Sequence, residues 1–302
     1  MNQYYLIFVL TALVSTKVYS QQDPINTQYL FNPLVYNPSY AGINNITNIT
    51  LNSRYQWTSL EGSPTTYSLT ANSSIVNGKV GIGLMLLRDK IGVSENTEVQ
   101  LSYAYKINSG SKVFSFGLQT GVVSYTKKFN ILTLRVDDDP FFQPNVEEST
   151  KFNIGTGISY MTDKFIISFS VPRLINSKVG NGADVVAHDR HYYLMGAYII
   201  ELKSGLKIKP SVLIRGVSGA TPSIDANFSF FLINQLWAGA FTRNFSTYGL
   251  MAQYDFMDAY KIGYSYEILG NNFSGNALPT HEIILSADFA IFSHQSVFKR
   301  FF

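Results

Sequence analysis

Apolar and polar residues alternate with a period of two along most of the chain. In residues 260–267, Tyr or Ile occupies every second position, and Lys, Gly, Ser and Glu lie between them. The same alternation recurs in residues 99–106 and 223–230. Successive side chains of a β-strand point to opposite faces, so this pattern predicts strands with one apolar and one polar face. No stretch after Gln21 shows the 3.6-residue spacing of an amphipathic helix.

About fourteen such segments can be placed along the chain. They cover residues 46–57, 64–74, 80–89, 96–107, 112–124, 151–161, 164–171, 190–202, 206–216, 222–233, 235–244, 247–257, 259–268 and 280–290. Every second connection is a tight turn containing Asn, Asp, Gly or Ser, which suit β-hairpins. These turns are at residues 75–79, 108–111, 162–163, 203–205, 234 and 258. The long connections, 125–150, 172–189 and 269–279, all fall among the others.

The length of the segments and the chemistry of their faces favour a membrane barrel. They run for about ten residues, as tilted transmembrane strands do. An outer-membrane barrel needs one apolar, aromatic face for lipid and one polar face for the lumen. A soluble sandwich also alternates, but it does not need so many tyrosines on the apolar face. We therefore predict an all-β transmembrane outer-membrane β-barrel of about 14 antiparallel strands, with short periplasmic turns and longer extracellular loops.

The composition agrees with that prediction and excludes several other classes. Of the 302 residues, 15% are aromatic and only 14% are charged, against about 25% charged residues in a typical soluble domain. The mean hydropathy of +0.05 is too low for a bundle of membrane helices. The formal net charge of +3 argues against nucleic acid as a partner. The chain has no cysteine, which excludes disulfides, Cys-zinc sites and thiol nucleophiles.

The N-terminus has the features of an export signal. An apolar run from Tyr4 to Val14 has the length of a signal-peptide core, and small residues precede Gln21. A short N-terminal anchor or a buried strand is the alternative interpretation. We predict a signal peptide at 1–20, a Pro- and Asn-rich aromatic segment at 21–45 that is periplasmic or plugs the barrel, the barrel at 46–292 and a short tail at 293–302. The predicted location is the bacterial outer membrane, with outer-membrane lipid as a contact.

Few residues suggest chemistry. Asp137, Asp138 and Asp139 could cup a calcium ion, although the run lacks EF-hand spacing and a solvated loop tip explains it better. His188, Asp189 and His191 are a weak metal candidate. No nucleophile elbow, P-loop or zinc-binding His-Glu motif is present. We therefore predict no catalytic residue, no metal site, no cofactor and no enzymatic activity.

Charged residues on the polar faces leave the state of the lumen open. Both signs occur among them, so a packed lumen cross-linked by ion pairs and an open ion pathway are equally compatible. The residues are Arg54, Lys106, Lys207, Lys209, Arg215, Asp225, Asp255, Lys261, Glu267 and Glu282. The pairs Gly81/Gly83 and Gly155/Gly157 lie inside predicted strands, where glycine relieves crowding or lets a barrel bend.

The stretch at 23–42 is unlike a flexible linker. Its prolines preclude a regular helix, and its Asn-Pro pairs start turns. It also carries many aromatic and aliphatic residues, which free linkers lack. Such a segment could tuck under or into a barrel.

This stretch resembles the opening motif of the PorP/SprF family of type IX secretion system outer-membrane proteins of Bacteroidota. The resemblance continues, in order, at 54–57, 62–65, 80–83 with Asp89 and Gly92, 101–105, 190–193, 236–239 with Arg243, and 280–283. It implies a noncatalytic barrel that supports export or surface retention of type IX cargo, including gliding adhesins. It also implies partners, namely a large cargo protein with a C-terminal sorting domain and components of the periplasmic secretion ring. The candidate partner-contact or plug residues in the motif are Gln28, Tyr29, Phe31, Asn32, Pro33, Asn37, Pro38, Tyr40 and Gly42.

The leading functional hypothesis is a non-enzymatic accessory or anchor in type IX secretion and gliding motility. The alternative is an outer-membrane pore or solute channel, because fourteen strands can enclose a lumen. An outer-membrane enzyme is a weaker third hypothesis, since no constellation of Ser, His and carboxylates supports it.

Overall fold

The structure is a computed structural model that describes residues 26–131, 146–179, 186–202, 206–218, 220–232, 235–270 and 278–297. The predicted signal peptide and the three aspartates at 137–139 lie outside these residues. Strands account for nearly all of the regular structure. They are β1 (Thr47–Tyr55), β2 (Thr65–Ile75), β3 (Val80–Ile91), β4 (Ser94–Ser109), β5 (Lys112–Lys128), β6 (Val146–Met161), β7 (Phe165–Val171), β8 (Ser177–Val179), β9 (Val186–His188), β10 (His191–Tyr198), β11 (Ile200–Glu201), β12 (Lys207–Val217), β13 (Ser223–Leu232), β14 (Leu236–Arg243), β15 (Thr247–Phe256), β16 (Tyr260–Leu269) and β17 (Thr280–Phe289).

The large sheet closes on itself. Strand β1 pairs with both β2 and β17, and β10 pairs with both β7 and β12, all antiparallel. Strands β10 and β11 pair with β12 in one register and are two parts of one strand. The break falls opposite Pro210, which has no N–H to give to the ladder. The described residues therefore form a closed barrel of 14 antiparallel strands, with β8 and β9 as a separate hairpin.

The two faces of each strand match the predicted alternation. On β16, Tyr264 and Tyr266 are exposed on the outside, whereas Ser265 and Glu267 are buried in the lumen. On β5, Leu118 is 59% exposed, and its neighbour Gln119 is 5% exposed. Lipid covers such an apolar outer surface in a membrane barrel, and closure leaves no unpaired backbone edge in the hydrocarbon.

The predicted tight turns lie at one end of the barrel, which we call the turn end. The opposite end, the loop end, carries the long connections together with some short turns, such as the one at Asn244 and Phe245. At the turn end, Val76 and Asn77 have φ angles of 51° and 52°, and Met257 and Asp258 have 53° and 52°. Two successive residues with positive φ are typical of type I′ hairpin turns. The predicted turns at 203–205 and 234 lie outside the described residues. The parity of short and long connections is as predicted.

The strand positions are also as predicted, but β5 and β6 extend farther at the loop end. Strand β5 runs to Lys128 and β6 starts at Val146, with Lys128 opposite Val146. The added residues include Lys127, Glu148 and Thr150, which lack an apolar alternation. Above the membrane both faces of a ladder are wet, so periodicity gives no signal there.

The described part of the C-terminal tail is fixed to the barrel wall. Gln295 is 7% exposed, and its amide nitrogen donates to the backbone oxygen of Ser74 at 2.8 Å. Its side-chain oxygen accepts from the backbone nitrogen of Ile291 at 2.8 Å. The tail therefore folds back onto the turn end. Among the described residues, no helix is both long enough and apolar enough to cross a membrane.

The outward face of β5 allows a test of membrane contact. Replacing Leu118 with Arg should lower the free energy of unfolding in lipid vesicles by about 2–4 kcal/mol, because a charge near mid-membrane loses its hydration. Urea titration of the reconstituted protein measures this value. Leu118→Ala controls for the lost side-chain volume. Equal effects of the two variants would contradict a lipid-facing position.

Candidate functional site: the filled lumen

Residues 26–46, which we call the luminal segment, run through the interior of the barrel. Tyr29, Tyr36, Tyr40 and Ile46 are all 4% exposed or less. The segment starts near the loop end, where Thr27 contacts Glu267 and Glu282. It ends at the turn end, where β1 begins. Because the segment lies between these two ends, it obstructs the lumen along its length.

Two short 3₁₀ turns shape the luminal segment, and each begins with an Asn-Pro pair. They span Pro33–Val35 and Pro38–Tyr40. Proline suits the first position of such a turn because the N–H it lacks would have no partner there. Asn37 accepts a hydrogen bond from the Ser39 backbone at 2.9 Å. Its amide nitrogen donates to the carbonyl oxygens of Ile158 and Phe169, both at 3.3 Å, and so ties the turn to the wall.

Tyrosine hydroxyls of the luminal segment reach the inner wall on one side of the barrel. Tyr29 donates to Ser211 Oγ at 3.1 Å, and Tyr40 donates to Ser168 Oγ at 3.0 Å. The rings also pack with Tyr193, Ile166 and other apolar residues into a core inside the lumen. These side chains therefore bury apolar area and satisfy polar wall groups together.

A buried charge cluster holds the loop-end part of the luminal segment. Arg54 on β1 forms ion pairs with Glu267 and with Glu282, the latter at 3.3 Å. The carboxylate of Glu282, which is 0% exposed, accepts from the backbone nitrogens of Thr27 at 2.7 Å and Gln28 at 3.1 Å. Charge-assisted hydrogen bonds of this kind are the stronger ones. The cluster therefore joins three strands and the luminal segment.

The cluster extends to two further strands. Arg243 on β14 lies 2.8 Å from Asp225 on β13 and 3.6 Å from Glu267. Arg54 also donates to the hydroxyl of Thr27 at 3.1 Å. Each of the three carboxylates thus has an arginine partner, and backbone nitrogens of the luminal segment also donate to Glu282. Of the two alternatives for the lumen, these ion pairs support a packed lumen cross-linked by charges over an open ion pathway.

A lysine anchors the other end of the luminal segment. Lys106 is 1% exposed and donates to the carbonyl oxygen of Gly42, to Asn45 at 2.8 Å and to Ser74 at 3.0 Å. Gly42 has a φ of +59°, and a Cβ there would lie 2.5 Å from the backbone oxygen of Ser73. Only glycine fits where the segment turns into β1.

Several wall glycines make space for the luminal segment. A Cβ on Gly81 would lie 1.8 Å from the Ala41 oxygen, and one on Gly117 would lie 2.2 Å from the Ser39 nitrogen. A Cβ on Gly157 would lie 2.0 Å from the Asn37 side chain. The crowding that these three glycines relieve is therefore with the luminal segment, whereas Gly155 makes space for Pro172. Barrel curvature alone does not account for their positions.

The loop end is covered by the chain that follows β7. Pro172 accepts hydrogen bonds from Gln119 and Asn153 on the inner wall, both at 2.9 Å. Arg173 forms an ion pair with Glu98. This short stretch therefore lies over the lumen above the luminal segment.

The candidate residues of the opening motif all lie in the lumen. The side chains of Gln28, Tyr29, Asn32, Asn37, Pro38 and Tyr40, and residue Gly42, are buried, and Phe31 and Pro33 are partly exposed. Asn32 accepts from Thr70 at 2.8 Å, and Gly42 donates to Asn72 at 3.1 Å. Because most of these residues are covered by the barrel wall, their placement favours contact within the protein.

Sequence reasoning did not connect the glycines and the charged residues to the opening motif. Arg54, Arg243 and Glu282 each lie in or beside a motif that carries the family resemblance, and the structure brings all three to one cluster. The presence of all three residues in motifs of one family could have suggested that they share a site. Nothing comparable in the sequence pointed to Gly117, because Ser39, against which it packs, is distant in the sequence.

Only part of the metal candidates can be compared with the structure, because residues 137–139 lie outside the described residues. His191 Nδ1 lies 3.0 Å from the backbone oxygen of Asp189, and His281 hydrogen-bonds Tyr264 on the outer face at 2.8 Å. Within the described ranges, no three His, Asp or Glu side chains are grouped so that they could hold a metal ion. The side chain of His188 lies outside the described part.

The sequence matches the family model described as Type IX secretion system membrane protein PorP/SprF over residues 18–287. The chain belongs to the PorP/SprF family. With its barrel fold, this membership places the protein in the outer membrane, so the turn end is periplasmic and the loop end is extracellular. The family and the fold point to a non-enzymatic role. No curated protein matches the sequence.

Solved structures with a similar fold include a channel and an outer membrane protein. One, titled as the CymD monoaromatic hydrocarbon channel, is 11% identical, with 90% of this chain and 94% of that chain covered and a TM-score of 0.52. Another is the outer membrane protein Omp33 of Acinetobacter baumannii, at 10% identity, with 83% and 100% covered and a TM-score of 0.47. At such low identity the likeness concerns the barrel fold alone.

The contact between Gly81 and Ala41 predicts that a single methyl group displaces the luminal segment. In Gly81→Ala, a cysteine placed at the buried position 39 (Ser39→Cys) should become reactive towards a membrane-impermeant maleimide. The natural chain has no cysteine, so this thiol is the only target. Labelling of purified protein, followed by mass spectrometry, measures the change.

Gly196→Ala is the matched control, because its Cβ would meet no atom closer than 3.8 Å. The thiol should stay protected in that variant. Equal labelling in both variants would show that Gly81 does not make space for the segment.

The charge cluster predicts a large stability loss on removal of one charge. Glu282→Gln should lower the free energy of unfolding by about 1.5–3 kcal/mol, because the hydrogen bonds to Thr27, Gln28 and Arg54 lose their charged acceptor, while Arg54 keeps Glu267. Urea unfolding in detergent checks this value. The control is Glu201→Gln, which breaks an exposed pair with Lys207 and should leave the free energy of unfolding nearly unchanged, because water screens that pair. Similar losses in both would rule out the cluster as a stabilising element.

Proposed function

We propose that the protein is a non-enzymatic outer-membrane barrel that helps to export or anchor a large surface protein through type IX secretion. The partner is a cargo protein with a C-terminal sorting domain, such as a gliding adhesin, and components of the periplasmic secretion ring also attach. Membership of the PorP/SprF family supports the secretion role. The observation that carries the mechanism is the filled lumen.

A filled lumen changes what such a barrel can do. The luminal segment is held by Glu282 and Arg54 near one end and by Lys106 near the other, and its backbone fits against wall glycines. Among the residues that the structure describes, the segment therefore occupies the space that a solute would need to cross the barrel. A partner protein is then engaged at the periplasmic end, at the extracellular end or on the outer wall, and the barrel serves as a membrane-embedded support.

The solute-channel alternative makes an opposite prediction for purified protein. In planar bilayers, we expect the full-length barrel to give no steady conductance, because the lumen is occupied. The Gly81→Ala variant should conduct intermittently, since its luminal segment is displaced. Steady conductance of the full-length protein would favour the pore.

The secretion role is tested in the native host. Deleting the gene should remove at least one type IX cargo protein from the cell surface, as detected by surface proteolysis and mass spectrometry, and the wild-type gene should restore it. Complementation with Gly196→Ala should do the same, because that substitution leaves the luminal segment undisturbed. Unchanged surface levels of every type IX cargo after deletion would overturn the proposal.

A pull-down of tagged protein from solubilised outer membranes then identifies the partner. We expect a large protein with a C-terminal sorting domain, ring components, or both. Recovery of the barrel without any companion would contradict an anchoring role.

A further inference from the structure

A cavity remains between the luminal segment and the inner wall at the periplasmic end. It has a volume of about 60 Å³ and lies below the turn formed by residues 31–34. Wall residues that line it, including Asn48, Met161 and Ser286, lie close to the periplasmic ends of their strands. Phe31, Asn44 and Lys261, which belong to the lining, are partly exposed.

Three nitrogen donors lie on the lining of this cavity. Lys209 is 2% exposed, and its ammonium lies 4.1 Å from the Trp237 ring and 5.0 Å from the Phe31 ring. The Lys261 side chain is 16% exposed and lies 3.8 Å from Asp288. Asn32 is 3% exposed, and its amide nitrogen has no hydrogen-bond partner among the residues that the structure describes. Two cations and a buried amide donor suit an anion.

The rest of the lining suits a peptide better than a free inorganic anion. Ile166, Ile284 and Trp237 provide apolar surface, and the side chains of Asn72 and Gln253 add amide groups. A volume of 60 Å³ corresponds to about four water-sized groups, enough for an acetate-like end of four heavy atoms. An apolar wall next to a few convergent polar groups is typical of ligand sites.

We propose that this periplasmic cavity binds the C-terminal carboxylate of a polypeptide chain. The carboxylate lies between the ammonium of Lys209 and the amide of Asn32, with Lys261 at the entrance, and the last side chain packs against Trp237. The inference deepens the proposed function, on which it rests, because it gives a periplasmic or secreted partner a point of attachment. It is tested without any cargo protein, so the two proposals can fail separately.

Trp237 provides an internal reporter of binding. The chain has two tryptophans, so Trp57→Phe leaves Trp237 as the only one. The probe is the dipeptide N-acetyl-Ala-Ala, titrated into the full-length protein in detergent. We expect a saturable change in Trp237 emission. The same peptide with an amidated C-terminus should bind about tenfold more weakly or not at all, because it lacks the charged acceptor.

Lysine substitutions locate the site. Lys209→Met keeps the apolar stem and removes the charge, and it should weaken binding of the carboxylate peptide by about tenfold or more. Lys209→Arg, which keeps the charge, should retain binding. The control is Lys79→Met, at an exposed periplasmic turn outside the cavity, and it should bind as the parent does. The gel migration of each variant is compared before and after heating. A shift equal to that of the parent protein confirms that the variant is folded.

Several outcomes would overturn the proposal. One is the absence of any saturable emission change, and another is equal affinity for the carboxylate and amidated peptides. Loss of binding in Lys79→Met to the same extent as in Lys209→Met would place the contact outside the cavity. Acetate that binds as tightly as the peptide would show that a free anion, and not a chain end, is the ligand.

Discussion

Every polar group on the inner wall of this barrel must find a partner, and the luminal segment supplies many of those partners. A 14-strand ring turns half of its side chains inward, and here they include Arg54, Lys106, Glu267 and Glu282. Ionic groups without water are costly unless they are paired and hydrogen-bonded. The segment brings backbone nitrogens to Glu282 and a backbone oxygen to Lys106. The wall and its contents therefore depend on each other.

The dependence is steric as well as electrostatic. Gly81, Gly117 and Gly157 expose strand backbone to the segment at distances that a methyl group would forbid. Glycine weakens a strand interior, so its presence at several wall positions carries a cost in strand stability. Close packing of the segment offsets that cost. The Asn-Pro pairs start the two short turns of the segment, where proline disfavours a regular helix.

In a barrel with a filled lumen, the surfaces that other molecules can contact are the two ends and the outer wall. The extracellular end is covered by Pro172 and Arg173, while the periplasmic end keeps a small donor-rich cavity beside Lys209. This asymmetry is consistent with a protein that meets its partners from the periplasm. A solute channel, by contrast, needs a lumen that stays open across the membrane.

The sequence alone determined the all-β class, the strand positions and the alternation of lipid-facing and luminal residues. Period-two patterning is a local property, and the membrane enforces it strictly, because a one-residue slip would turn residues such as Glu267 towards lipid. Above the membrane, at Lys127 and Glu148, the lipid no longer enforces this alternation. The strands predicted from the sequence, β5 and β6, were therefore too short at that end. The motif at 23–42 was identified as a segment that could enter the barrel, since its aromatic residues need burial.

Only the tertiary structure decided whether the lumen is open, and which residues close it. Thr27 and Glu282 are separated by 255 residues, and Gly81 and Ala41 by 40, so no local pattern links them. Mixed charges on the polar faces were compatible with an ion pathway until the cluster placed Arg54 between Glu267 and Glu282. Local periodicity specifies which face a side chain occupies. The closure of the ring specifies what it meets there.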